Sequence, residues 1–135
     1  YISFEYAMSY YGLIPEAVYT VTSATFEKKK KKRYETSFGT FTYCDVPAEA
    51  FPLELILVQE GDYFYRIASP EKAVCDKLYT MSPTANIKEL YTLLADDLRI
   101  DMDALKKLDQ SKLAQLSGKY HSTNVKKLCS LIRRL

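Results

Sequence analysis

The sequence predicts an α+β fold: a small antiparallel or mixed sheet of about four strands, an N-terminal helix and a C-terminal helical cluster. Three observations predict it. Runs rich in β-branched and aromatic residues are confined between Val18 and Ala68. A strong helix start, Ser69-Pro70-Glu71, follows them. From Ser82 onward, apolar residues recur at helical spacing. Strands and helices are therefore segregated along the chain rather than alternating, which argues against a βαβ architecture. Residues 1–135 read as a single domain, with a mixed part over 1–81 and an all-helical part over 82–135.

The elements follow in order. Ser3 is placed to cap a short helix through Phe4, Ala7, Met8 and Tyr11. Gly12 supplies a left-handed stop and Pro15 blocks a restart. Val18 to Phe26 reads as a strand, and Thr40 to Val46 as its partner in a long hairpin that turns at Gly39. Leu53 to Val58 is a short apolar run suited to a buried strand. Gly61-Asp62 signals a turn and Tyr63 to Ala68 a further strand. The helix from Ser69 runs to about Met81, with Ser as cap, Pro at its first position and Glu at the positive end of the dipole. Lys72 and Asp76 are expected as an i,i+4 pair on its surface. Ile87, Leu90, Tyr91, Leu94 and Leu98 form an amphipathic stripe. Asp101, Asp109 and Ser122 are candidate caps for three more helices, the middle one ending at Gly118.

Composition limits the function classes. With 47% hydrophobic and 27% charged residues the chain has a globular balance, not a disordered one. No apolar stretch is long enough to span a membrane as a helix, and no signal peptide is visible. No membrane partner is expected. Cys44, Cys75 and Cys129 are an odd and widely spaced set, so free thiols in a reducing cytoplasm are expected. His121 is the one histidine and stands beside a helix cap, where a solvent-exposed turn residue is expected. The formal net charge of +2 conceals an uneven distribution. Residues 1–67 carry seven cations against nine anions, 71–103 four against seven, and 104–135 eight against one.

Two cationic features are the candidate binding residues. Lys28, Lys29, Lys30, Lys31, Lys32 and Arg33 are consecutive. They suit phosphate contacts, and equally a hairpin edge protected from aggregation by charge. At about 100° per residue, Lys126, Lys127, Arg133 and Arg134 fall on one side of the last helix. Val125, Leu128, Cys129, Leu131, Ile132 and Leu135 fall on the other. That cationic face can meet a DNA backbone or an acidic protein surface, or remain solvated. The Ser69-Pro70-Glu71-Lys72 stretch could present Glu71 to a partner, but capping accounts for its residues without any function.

Five segments in this order resemble a known family. They are Tyr1-Ile2-Ser3-Phe4-Glu5 with Ala7-Met8-Ser9-Tyr10-Tyr11-Gly12-Leu13-Ile14-Pro15-Glu16; Val18-Tyr19-Thr20-Val21-Thr22-Ser23; the stretch from Glu35 to Tyr43 containing Phe38-Gly39-Thr40-Phe41; Ile67-Ala68-Ser69-Pro70-Glu71-Lys72-Ala73-Val74-Cys75-Asp76; and Tyr120-His121-Ser122-Thr123-Asn124-Val125-Lys126-Lys127-Leu128. Together they are similar to the AbiEi antitoxins of bacterial abortive-infection, type IV toxin–antitoxin systems. The resemblance implies a transcriptional regulator that represses its own operon and neutralises a cognate nucleotidyltransferase-like toxin. It also implies a DNA-binding winged helix-turn-helix preceding Tyr1, so that this chain is the C-terminal part, with possible backbone contacts of its own and possible homodimerisation. Cys75 and Lys77 stand where the family's helix usually carries apolar residues, and the six-cation run is longer than expected.

No phosphate-cradling glycine loop and no G-x-S-x-G is present, and the sole histidine leaves nucleophiles without an evident base. A non-enzymatic role is therefore expected, with no catalytic residues, no metal and no cofactor. The rival readings are a metal-dependent nuclease-like defence enzyme, in which Asp62, Glu71 and Asp76 or Asp96 and Asp97 converge, and a pure oligomerisation domain.

Overall fold

The computed structural model describes residues 1–135. Helix α1 (Phe4–Tyr10) is followed by strands β1 (Val21–Thr25), β2 (Lys32–Thr36), β3 (Gly39–Asp45), β4 (Leu55–Glu60) and β5 (Tyr63–Ala68). Then come α2 (Pro70–Tyr79), α3 (Ile87–Thr92), a π-helical turn (Leu93–Asp97), α4 (Met102–Lys106), α5 (Gln110–Tyr120) and α6 (Thr123–Arg134). The fold is α+β, with the N-terminal helix and C-terminal helical cluster in place. No helix is long and apolar enough to cross a membrane.

The sheet differs from the expectation in number and pairing. Five strands form a three-stranded sheet of order β1-β3-β2 and a two-stranded hairpin β4-β5. The hairpin at Gly39 is made by β2 and β3, from Lys32↔Tyr43 to Thr36↔Gly39, while β1 joins the far side of β3 in parallel. The long hairpin of Val18–Phe26 with Thr40–Val46 does not form. Lys28 to Lys31 instead carry the chain across to the new strand, and Lys32 and Arg33 open it. Asp45 shapes this crossing. Its carboxylate accepts the Thr25 hydroxyl at 2.6 Å and the Lys28 and Lys29 amides at 2.9 and 2.8 Å. Glu27 and Lys29 take positive φ there.

The N-terminal residues join the two sheets. Ile2 bridges to Ser23 of β1 and to Ile67 of β5. Its amide donates to the Arg66 carbonyl at 2.9 Å and its carbonyl accepts the Ala68 amide at 2.8 Å. Ser3 holds the cap position of α1, but its hydroxyl turns away to Asp76. Thr22 of β1 supplies the missing cap: its hydroxyl accepts the Tyr6 amide at 3.0 Å. Gly12, at φ 73°, closes α1 in a Schellman arrangement, with Leu13 N–H on the Met8 carbonyl and Gly12 N–H on that of Ser9.

Helix α2 is the centre of the molecule. Ser69 caps it through the Lys72 amide at 3.2 Å, and Pro70 opens it. Helices α1, α5 and α6 and strand β5 pack around it. Ala73, Val74, Cys75 and Leu78 are fully buried in one cluster with Met8, Leu90, Leu94, Leu116, Leu128 and others. The Lys72–Asp76 pair is not on the surface: both residues are 0% exposed. From Glu71 to Asp76 the helix is buried all round, whatever its polar residues suggest, and solvent reaches it only at Pro70, Lys77 and Tyr79.

Asn86, Asp101, Asp109 and Ser122 cap the later helices through their side chains. Helix α5 does not stop at Gly118. It continues to Tyr120 and ends where His121 takes the left-handed conformation, φ 52°. Leu90 and Leu94 of the stripe are buried, and Val125, Leu128, Leu131 and Ile132 of α6 face the core.

Candidate partner-binding groove and buried polar hub

The chain places Asp76 where three distant segments meet. Its carboxylate accepts the Tyr1 hydroxyl at 2.8 Å, the Ser3 hydroxyl at 2.6 Å and the Tyr120 hydroxyl. One turn earlier, the Lys72 ammonium donates to the Ala50 carbonyl and lies 5.1 Å from the centre of the Tyr1 ring. Burial pushes the Asp76 carboxyl above its ordinary value, against the opposing pull of Lys72 and the three hydroxyls. Burial likewise lowers the Lys72 ammonium and raises the Tyr1 and Tyr120 phenols. Every buried side-chain nitrogen and oxygen has a partner. The cluster is thus a satisfied internal tie, the form in which buried polar groups are tolerated.

The other buried carboxylate, Glu71, is also engaged: it accepts the Asp109 amide at 3.0 Å, linking α2 to the start of α5. Asp62 is exposed in the β4–β5 turn, so it does not converge with Glu71 and Asp76. Asp96 and Asp97 are exposed on the π-helical turn. Nowhere do three His, Cys, Asp or Glu side chains gather as metal ligands would. Burial raises the Cys44, Cys75 and Cys129 thiols, which keeps them protonated at neutral pH. His121 is exposed, 3.8 Å from Glu49.

The cations build a different site. A groove of about 320 Å³ lies between the inner face of the three-stranded sheet and helices α1 and α2. Lys31, Lys32 and Arg33 stand on the sheet side, Lys77 and Thr80 on the helical side. Lys77 is anchored by an ion pair to Glu5. A second depression shares Lys31, Lys77 and Thr80 and extends to Thr84. The Lys127 ammonium donates to the Thr84 carbonyl. The groove therefore leads from the first cationic run to one residue of the second.

The two predicted sets are otherwise separate. Lys28, Lys29 and Lys30 are exposed in the crossing loop. Lys126, Arg133 and Arg134 are exposed on α6. Lys127 is half-buried and in contact with Thr84, so only three of the four cations are exposed. Arg133 folds back on its own helix, donating to the Cys129 carbonyl at 3.3 Å. Arg33 pairs with Glu35 at 3.4 Å. Lys77 is the groove residue that sequence reasoning missed, because its role depends on the crossing loop bringing Lys31 to the same groove system. No family model, curated protein or solved structure matches the chain.

Proposed function

We infer that this chain is a non-enzymatic binding domain, the antitoxin and regulatory part of an AbiEi-like type IV system. It neutralises a nucleotidyltransferase-like toxin and supports operator DNA binding by a preceding module in the cytoplasm. The observation that carries this reading is the groove, whose walls combine residues of segments that bear the resemblance with cations that lie outside them. Glu5 and Lys77 flank one side, and Thr42 and Tyr43 of the Glu35–Tyr43 stretch line the other. The same segments are tied internally, since Tyr1, Ser3 and Tyr120 all bond Asp76. The motif residues thus act mostly as scaffold, and the cations around them act as the contact surface. A groove rich in cations favours acidic protein surfaces or phosphates and speeds their encounter.

The test is growth rescue. Co-expression of this chain with the nucleotidyltransferase-like toxin of its own operon restores growth. The combined Lys31→Gln, Lys32→Gln, Arg33→Gln variant rescues less well at equal protein level. Failure of the unmodified chain both to rescue and to bind the toxin overturns the reading.

A further inference from the structure

The outer face of the three-stranded sheet carries a second, independent feature. The register places Val21, Ser23 and Thr25 of β1, Phe41, Tyr43 and Asp45 of β3, and Lys32, Tyr34 and Thr36 of β2 on one face. Thr22 and Ala24, on the opposite face of β1, are buried, so the first set looks outward. The result is a face with half-buried aromatic rings on its central strand and an exposed one on its β2 edge. Phe41 and Tyr43 are two residues apart, roughly 6.6 Å along the strand. The Tyr34 and Tyr43 rings lie 5.8 Å apart at 75°. Tyr34 is 48% exposed, and Phe38, at the hairpin tip, is 92% exposed.

Cations border these rings. A hollow of about 280 Å³ is lined by Lys28, Lys30, Lys32, Tyr34, Tyr43 and Thr25. Of the neighbouring acids, Asp45 lies on this face and Glu35 on the other. Asp45 accepts the Thr25 hydroxyl and two loop amides, which seats the lysine loop beside the sheet. Glu35 lies on the inner face with Arg33. The exposed Tyr34 ring and the half-buried Tyr43 ring are thus framed by ammonium groups.

The geometry points to a binding site for a short stretch of single-stranded nucleic acid on this face. Bases stack on Tyr43, Phe41 and Tyr34, and Lys28, Lys30 and Lys32 contact the phosphates. Single strands suit the site because their bases are free to stack, and stacking on aromatic side chains is sequence-tolerant. A duplex hides its bases and could use only the lysines. The site shares Lys32 and Tyr43 with the groove but adds Lys28, Lys30 and Tyr34, which the groove lacks, and its occupant is argued from stacking chemistry rather than from the antitoxin reading.

Fluorescence anisotropy with labelled oligo(U), oligo(dT) and a blunt DNA duplex, each without toxin, tests it. The intact chain binds either single strand more tightly than the duplex. Affinity falls with salt at a log–log slope of about −2, the value for roughly three phosphates on a single strand. Tyr34→Ala and Tyr43→Ala each weaken binding roughly 5- to 150-fold at unchanged salt slope. Tyr34→Phe retains binding, which separates stacking from misfolding. The combined Lys28→Gln, Lys30→Gln, Lys32→Gln variant flattens the slope. The ratio of oligo(U) to oligo(dT) affinity reports whether a 2′-hydroxyl is read, and either preference supports the proposal. It is overturned if neither strand binds, if the duplex binds equally well, or if Tyr34→Ala binds like the intact chain. Because no toxin is present, such a failure leaves the antitoxin reading standing.

Discussion

Removing the Asp76 carboxylate leaves the Lys72 ammonium without its nearest counter-charge in a site closed to water. It also strands the hydroxyls of Tyr1, Ser3 and Tyr120. A buried polar group left unsatisfied costs about 1–3 kcal/mol, so urea denaturation of Asp76→Ala is expected to show a decrease of at least that size. Asp76→Asn keeps the shape and separates out the proton linkage. The folded pKa of Asp76 is raised by burial. Its contribution to stability is therefore complete below the ordinary carboxyl value, about 3.9. It is lost as pH rises through the raised folded value. Measured from pH 3 upward, the stability of the intact chain relative to Asp76→Asn should fall with rising pH. A difference that rises instead contradicts the assignment. The i,i+4 spacing of Lys72 and Asp76 was visible in the sequence, but their burial was not. It depends on hydroxyls from residues 1, 3 and 120 and on the Ala50 carbonyl, none of them local.

At the scale of elements, Thr22 couples strand to helix. Its hydroxyl caps α1 and also donates to the Ser3 carbonyl. Thr22→Val keeps the shape and removes both bonds, and is expected to cost about 1–2 kcal/mol by thermal or chemical denaturation. A variant as stable as the parent would show that Ser3 can resume the cap. Helices were legible wherever their signals are local: Gly12 after α1, Ser69-Pro70 before α2, and Asp101, Asp109 and Ser122 before the last three. Strand pairing was not. Alternation tells which residues share a face, but it does not name the neighbouring strand. The strand at Lys32–Thr36 has weak β signals of its own and is formed by its pairing with β3. Parallel pairing of β1 with β3 is a non-local contact that no turn residue announces.

For the whole molecule, a helix read as half-exposed became the centre of the core, and the chain's three ends of structure converge on it. The N-terminal residues stitch two sheets, α5 and α6 close over α2, and the cations are left at the periphery. The candidate residues were legible because six consecutive cations and a one-sided helix are compositional facts. Their grouping was not, because Lys31 and Lys77 come to line one groove only when the three-stranded sheet and its crossing loop fold beside α2. This division of labour, an internally satisfied scaffold with a cationic groove, leads to the central claim that the chain acts by binding a partner through that groove. Equilibrium titration of the purified chain with its operon's nucleotidyltransferase-like toxin, over a range of salt concentrations, tests it most directly. The account predicts saturable, salt-sensitive binding that Lys31→Gln, Lys32→Gln, Arg33→Gln weakens in combination. Absence of binding, or equal affinity and salt dependence in that variant, would contradict it.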